Sequence, residues 1–185
     1  PGDITSNLLS DNNGIVDLFA QWTPHKYIIR FNKSAVNALG TMEDQAVQYD
    51  EIVSLNHNKF VLNGYQFRGW STKAGETGMP NEYADGDKVK NLTPDDNGIV
   101  NLYAIWSENA PVSIKYVASD EEHSSVSVTS ENVNPATGNA SGSTAKVSDG
   151  YHFAGWSNVS GSLLGMNETF IPTRGESGLW EPSTY

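Results

Sequence analysis

The chain lacks cysteine and has few basic residues, and each shortage excludes a class of protein. Without cysteine there are no disulfide bonds, no cysteine-ligated zinc and no thiol catalysis. Lysine and arginine total 11 against 22 acidic residues, so the formal net charge is −11. The few bases are not clustered, as a phosphate backbone would require. The sequence therefore predicts no nucleic-acid partner, and mutual repulsion of acidic surfaces favours a monomer.

Long apolar runs are also missing. The strand-like run Ile99–Trp106 is far shorter than the about 20 residues that span a bilayer, so no membrane insertion is predicted. The chain begins at Pro1 without a leader-like segment, and we interpret it as part of a longer protein. Small exported eukaryotic domains usually depend on disulfides, so a cysteine-free, Asn-, Ser-, Thr- and Gly-rich chain favours an extracellular bacterial location.

An internal repeat is the clearest feature that is present. Gly2–Trp22 aligns with Gly86–Trp106 at an offset of 84 without a gap, and 12 of the 21 positions are identical. A second pairing joins Gly64–Ser71 (GYQFRGWS) to Gly150–Ser157 (GYHFAGWS) at an offset of 86. Self-similarity at such a period indicates tandem modules.

The repeat predicts three segments. Residues 1–22 are the C-terminal part of one repeat, residues 23–107 are a complete module, and residues 108–185 are a diverged module that lacks its last strand. A repeat of about 85 residues is long enough to bury its own core, so the modules are expected to form beads on a string. The short connection Ser107–Ser113 (SENAPVS) predicts semi-rigid spacing and an elongated shape.

Alternation of apolar residues predicts a mainly β fold. Tyr27, Ile29 and Phe31 share one face of a strand. The pattern of Val100, Leu102, Ala104 and Trp106 recurs in Val16, Leu18, Ala20 and Trp22, and each run follows an Asn-Gly turn that favours a hairpin (Asp11–Gly14 and Asp95–Gly98). Thr41–Asp44 permits one short helical turn at most.

The segment GYQFRGW contains a change of phase. Tyr65 and Phe67 share one strand face, but Trp70 falls on the other unless an extra residue intervenes. Glycine tolerates the backbone of a β-bulge best. The sequence therefore predicts a bulge at Gly69 that returns the Trp70 indole to the core.

The aromatic residues admit two interpretations. Sugar-binding modules often expose aromatic faces, but recurrence at fixed strand positions favours a core role for the tryptophans. Tyr103 and Phe19, on the opposite strand face, are better candidates for contact with a ligand. The tryptophans in question are Trp22, Trp70, Trp106, Trp156 and Trp180.

No candidate set of residues fits a catalytic or metal site, so none is predicted. The acidic turns lack the ligand spacing of a calcium loop, because Leu9 and Thr93 occupy its first position and no glutamate closes it. Ser141 and Ser160 lie in small-residue loops without the signature of an activated nucleophile. Lys115 is the one lysine considered for an isopeptide cross-link. The histidines are scattered and are interpreted as surface residues: His25, His57, His123 (beside Glu121 and Glu122) and His152.

The motifs resemble those of the Listeria–Bacteroides repeat family, also called internalin B-repeats. Its hallmarks are a GYxFxGW segment and, some 35 residues later, an LYAxW strand, which Gly64–Trp70 and Leu102–Trp106 match. Thr41–Glu51 and Tyr83–Thr93 are also typical of the family. GYHFAGW and the ending Thr169–Tyr185 are similar to a divergent branch of it.

The resemblance implies small β-grasp-like (ubiquitin-like) modules on bacterial surface, cell-wall or secreted proteins. It implies a non-catalytic stalk, spacer or adhesion role, without cofactors. The alternative is a module that binds a glycan or a host-surface protein, attached in some proteins to a secreted hydrolase.

Overall fold

Extended segments make up all the regular secondary structure of the computed structural model, which describes residues 14–75 and 80–180. The described residues contain no helix, not even at Thr41–Asp44, so the predicted mainly β class is confirmed. Accordingly, no described segment is a helix long and apolar enough to cross a membrane. The strands are β1 (Lys26–Asn32), β2 (Gln45–Gln48), β3 (Val53–Ser54), β4 (Tyr65–Ser71), β5 (Lys88–Val89), β6 (Gly98–Glu108), β7 (Val112–Lys115), β8 (Ser124–Val126), β9 (Ser130–Val133), β10 (Ser143–Val147), β11 (Trp156–Ser157), β12 (Leu163–Gly165) and β13 (Thr169–Phe170).

The first unit, from β1 to β6, is built on a four-stranded sheet in the order β2-β1-β6-β4. Its two central strands, β1 and β6, run parallel, with register from Tyr27 opposite Gly98 to Asn32 opposite Tyr103. The outer strands β2 and β4 are antiparallel to their neighbours. β6 is therefore hydrogen-bonded on both sides.

The alternation predicted for the central strands is confirmed. Tyr27, Ile29 and Phe31 are buried along β1, whereas Arg30 is exposed. In β6, Leu102, Ala104 and Trp106 are buried, and Ile105 on the opposite face is buried too. Loop residues between β3 and β4 cover the sheet and complete the core with Leu55, Phe60 and Leu62.

The bulge predicted in β4 is confirmed. The pairing of β4 with β6 shifts register between Phe67 and Gly69, and Gly69 has a φ of 142°. The shift turns the Trp70 indole into the core, where it packs against Phe31.

The hairpin predicted at Asp95–Gly98 is wrong. The strand that precedes this turn, β5, pairs with β3, whereas β6 pairs with β1 and β4. A two-residue hairpin of this kind needs positive φ at both central residues, and only Asn97 has one (59°). The turn is instead fastened to β1, since the Asn97 N–H donates to the Lys26 carbonyl at 2.7 Å. The companion turn Asp11–Gly14 lies largely outside the described residues.

The strand predicted at Val16–Trp22 is also wrong for this structure. Residues 14–25 have no regular secondary structure, and Leu18, Phe19 and Trp22 are exposed. A single strand needs hydrogen-bonding neighbours, and β6 already occupies the place between β1 and β4 where this sequence would fit.

The second unit, from β7 to β13, is divided into smaller sheets. β7 pairs antiparallel with β9, β10 lies between β8 and β13, and β11 forms a short pair with β12. Among the described residues, β7 has no partner besides β9, and β11 none besides β12. Buried apolar residues are fewer than in the first unit, and Tyr116, Val133 and Trp156 are the large ones among them.

Candidate functional site

A cavity of about 260 Å³ opens between two extended segments of the second unit. One wall is Val117–Ser119, which continues from β7, and the other is Tyr151–Ser157, which leads into β11. Val126 and Val147, from β8 and β10, contribute to its lining. We call this cavity the open slot.

The open slot corresponds to the place that β6 occupies in the first unit. Its first wall aligns with β1 at an offset of 87, and its second wall aligns with β4 at an offset of 86. In the first unit, β6 lies between those strands and pairs with both. In the second unit, no described strand lies between their counterparts.

Aromatic contacts hold the two walls of the open slot together. The Tyr116 and Trp156 rings meet edge to face, with centroids 6.0 Å apart. Trp156 corresponds to Trp70, which contacts Phe31 of β1 in the first unit with centroids 4.9 Å apart. The Tyr116 hydroxyl donates to Glu131 at 2.6 Å, and burial together with this carboxylate raises the pKa of the tyrosine. The ring contact and the hydrogen bond therefore hold the two walls of the slot in place.

Polar and aromatic groups line one end of the open slot. The His123 ring stacks on Tyr151 with centroids 4.3 Å apart, and its Nδ1 lies 2.8 Å from an Asp120 carboxylate oxygen. The hydrogen bond from the histidine ring holds the pKa of Asp120 below its usual value. None of the lining residues is lysine or arginine, so the slot offers no permanent positive charge to an anion.

A second cluster of polar contacts joins the two units. Glu108, the last residue of β6, accepts hydrogen bonds from the backbone N–H groups of Ala136 (2.7 Å) and Thr137 (2.9 Å) and from the Thr137 hydroxyl (2.8 Å). Partial burial opposes ionisation of Glu108, but these donors outweigh it and hold the pKa of the carboxyl below its usual value. We call this arrangement the joint.

Further contacts beside Glu108 also bring the two units together. The Asn109 N–H donates to the Gly64 carbonyl at 2.8 Å. A methyl group on Gly64 would lie 3.0 Å from Leu179 and 3.1 Å from Ala136, so the backbone of the first unit approaches the second closely there. The half-buried Trp180 donates its indole N–H to Gly138 at 2.9 Å, which braces the same loop.

Three of the five tryptophans are buried as predicted, whereas Trp180 is half-buried and Trp22 is exposed. Trp70, Trp106 and Trp156 are buried. Trp22, in contrast, is 90% exposed, because its segment has no neighbouring strands to pack beneath. Of the two candidates for ligand contact, Phe19 is exposed and Tyr103 is half-buried.

The other residues considered from the sequence lie at separate positions, apart from His152, which lines the open slot together with His123. His25, His57 and His152 are exposed, and Lys115 is exposed on β7. The backbone N–H groups of Ser141 and Ser160 are used in their own loops, by Glu131 and Asn158. No pattern in the sequence predicts the stacking of His123 on Tyr151, which depends on folding.

The carboxylates of the acidic turn before β6 accept hydrogen bonds from within the protein. Asp96 accepts from the Lys26 N–H at 3.2 Å, and Asp95 accepts from the Thr93 hydroxyl at 3.2 Å. No group of three potential ligands among His, Asp and Glu side chains is found within residues 14–75 and 80–180.

We expect the melting temperature to be the same in EDTA and in millimolar calcium. A cation that bound the native state would raise it by mass action. Differential scanning calorimetry of the chain in both buffers measures this, with magnesium as a control for general ionic effects. A calcium-specific rise of several degrees would show that the turns bind the ion.

Comparison with known families identifies both units. The model of the Listeria–Bacteroides repeat domain matches residues 27–105, and that of the divergent InlB B-repeat domain matches residues 115–173. The first unit therefore belongs to the Listeria–Bacteroides repeat family and the second to the divergent InlB B-repeat family. No curated protein and no solved structure matches it. Listeria–Bacteroides repeats are typical of bacterial surface proteins, and repeat families of this kind are generally non-catalytic.

Proposed function

We propose that the chain is a non-catalytic, extracellular repeat region of a bacterial cell-surface or secreted protein and that it serves as a spacer. The family match supports the location, and the joint supports the role. A spacer must hold successive units at a defined distance and orientation, and a flexible connection does this poorly.

The joint is the observation that carries this proposal. β6 ends at Glu108 and β7 begins at Val112, so Asn109–Pro111 connect the units. Three residues span at most about 11 Å, and the proline stiffens the connection. The carboxylate of Glu108 then fixes the loop Ala136–Thr137 through three hydrogen bonds. A charged acceptor makes such bonds stronger than neutral ones.

We further propose the division of the chain at this joint. Residues 23–107 form one complete module with its own core, and residues 108–185 form a diverged module without a last strand, after the end of a preceding repeat in residues 1–22. The order β2-β1-β6-β4 around a parallel central pair supports a β-grasp-like module without a helix. A single core shared by both modules would contradict this division.

We expect Glu108→Ala to loosen the joint without unfolding either unit. Small-angle scattering of the full chain should show a broader distance distribution. ¹⁵N relaxation should show that the two units tumble more independently of each other. Glu121→Ala, which removes an exposed glutamate away from the joint, should change neither. A native chain whose maximum dimension equals that of one globule of about 160 residues would overturn the spacer role.

Acid should loosen the joint in the native chain in the same way. The pKa of Glu108 is lowered on folding. Its contribution to the stability of the joint is therefore fully present above the unfolded-state pKa and is lost as the pH falls through the lowered, folded-state pKa. Scattering at neutral pH and at about pH 3 tests this, and Glu108→Ala should reduce the pH effect on the distance distribution. An unchanged pH effect in the variant would assign it to other carboxylates.

A binding role is the second candidate function, and the open slot favours it. Its walls are fixed, and it combines apolar lining with a few polar groups, as binding sites commonly do.

A further inference from the structure

We propose that Asn63 is a modification site, at which spontaneous deamidation alters the turn that supports the joint. The reaction needs an asparagine, the backbone nitrogen of the residue that follows it, and water. It is easiest where the following residue is glycine, because no side chain hinders the approach of that nitrogen. The proposal goes beyond the spacer function, since the reaction does not depend on what the chain does.

Deamidation at this site proceeds through a cyclic imide. The Gly64 backbone nitrogen loses its proton and bonds to the side-chain carbonyl carbon of Asn63, and the side-chain amide nitrogen leaves as ammonia. Water then opens the imide at one of its two carbonyl carbons. One opening gives aspartate, and the other gives isoaspartate, in which the backbone runs through the former side chain. Asparagine is among the thermolabile residues for this reason.

The two reacting groups are both free in the turn that contains them. The Tyr65 N–H donates to the Leu62 carbonyl at 3.1 Å across this turn, and Gly64 has a φ of 80°. That hydrogen bond involves neither the Gly64 N–H nor the Asn63 side chain. Within the described part of the chain, neither of these groups has a hydrogen-bond partner, and Asn63 is exposed to water.

A second Asn-Gly pair in the same unit, Asn97–Gly98, is protected. The Gly98 N–H donates to the Asp95 carbonyl at 3.1 Å, and the Asn97 side-chain amide donates to the Asp96 carboxylate at 3.1 Å. Gly98 is also the first residue of the central strand β6. This turn must therefore open before its glycine nitrogen can react. A third pair, Asn13–Gly14, begins outside the described residues.

The turn at Asn63 supports the joint from the side of the first unit. The Gly64 carbonyl accepts a hydrogen bond from the Asn109 N–H at 2.8 Å. A methyl group on Gly64 would lie 3.1 Å from the Ala136 side chain, and the Ala136 N–H in turn donates to Glu108 at 2.7 Å. A change in the backbone just before Gly64 therefore displaces a residue that contacts both the connecting segment and the second unit.

Deamidation changes this turn in both length and charge. Isoaspartate adds one carbon atom to the backbone before Gly64. Either product also adds a negative charge two residues before Tyr65, which lies opposite Glu108 in the pairing of β4 with β6. A like charge nearby disfavours the ionised form of Glu108, on which the hydrogen bonds of the joint depend. The modification therefore loosens the joint, permanently because the ammonia is lost.

Peptide mapping by mass spectrometry measures both conversion rates in the full chain, incubated at mildly alkaline pH. Each conversion adds about 1 Da, the difference between the water gained and the ammonia lost. In the folded chain, Asn63 should convert about tenfold or more faster than Asn97, because only the second turn must first open. In denaturant the two rates should be similar, since glycine follows both asparagines. Equal rates in the folded chain would overturn the proposal.

The effect on the joint is measured by small-angle scattering after the same incubation. The distance distribution of the unchanged chain should broaden, whereas that of Asn63→Gln should not, because glutamine forms the larger imide ring much more slowly. Asn63→Asp adds the charge without lengthening the backbone, so it should broaden the distribution less. A converted chain with an unchanged distribution would overturn the link to the joint. The freshly prepared chain tests the spacer function separately.

Discussion

The Trp70→Ala variant is expected to lose on the order of 3–5 kcal/mol of unfolding free energy, the range found for buried tryptophans. Trp70 is fully buried at the centre of an aromatic cluster. Its ring centroid lies 4.9 Å from those of Phe31 and Phe67 and 6.2 Å from that of Phe60. Such pairs add to the free energy of area burial, so truncation removes several favourable contacts together.

Chemical denaturation of the full chain measures this loss. Trp22→Ala is the matched control, because it removes the same side chain from an exposed position. It should change stability by less than about 0.5 kcal/mol. Equal losses in the two variants would contradict the assignment of Trp70 to the core.

A milder substitution separates packing from hydrogen bonding. The Trp70 indole N–H is buried, and no acceptor among the described residues lies within hydrogen-bonding distance of it. Trp70→Phe keeps an aromatic ring and removes the unsatisfied donor, whose burial is itself unfavourable. It should therefore cost clearly less than Trp70→Ala in the same denaturation experiment.

Gly69→Ala is expected to cost roughly 2–5 kcal/mol, combining backbone strain with overpacking. The positive φ of Gly69 is unfavourable for alanine, and the added methyl would collide with the Tyr83 carbonyl oxygen and lie 2.5 Å from Asn81 Nδ2. The Tyr83 oxygen cannot withdraw freely, because it accepts from the Trp70 N–H at 2.7 Å.

Gly150→Ala is the control for the strain alone. Gly150 also has a positive φ, of 89°, but a methyl group there meets nothing within 4 Å. Its loss, in the second unit, should stay near 1 kcal/mol. Denaturation midpoints of both variants measure the two losses of stability. A Gly69→Ala chain as stable as Gly150→Ala would mean that the bulge accommodates the methyl group without loss of stability.

Sequence patterns predicted the features that depend on near neighbours. Alternation placed β1 and β6, and the phase change at Gly69 predicted the bulge, since both follow from the two-residue period of a strand. The hairpin at Asp95–Gly98 failed because turn chemistry identifies a bend but not which strands it connects. The strand at Val16–Trp22 failed because strands form only with partners.

The hydrogen bonds and ring contacts of both sites join residues far apart in sequence, and no local pattern predicted them. Glu108 ends β6, yet its donors, Ala136 and Thr137, lie 28 and 29 residues later. The repeat predicted a second module that lacks its last strand, but the position of the open slot follows only from the path of β6 between β1 and β4.

The parallel pairing of β1 with β6 determines how the first unit resists force. A pull applied at Lys26 and Glu108 draws the two strands past each other along their length. The six residue pairs from Tyr27–Gly98 to Asn32–Tyr103 are then loaded together in shear, rather than opened one after another as at the end of a hairpin. Forced unfolding is governed by the unfolding rate, so this clamp gives the unit mechanical strength along the direction in which successive units are connected.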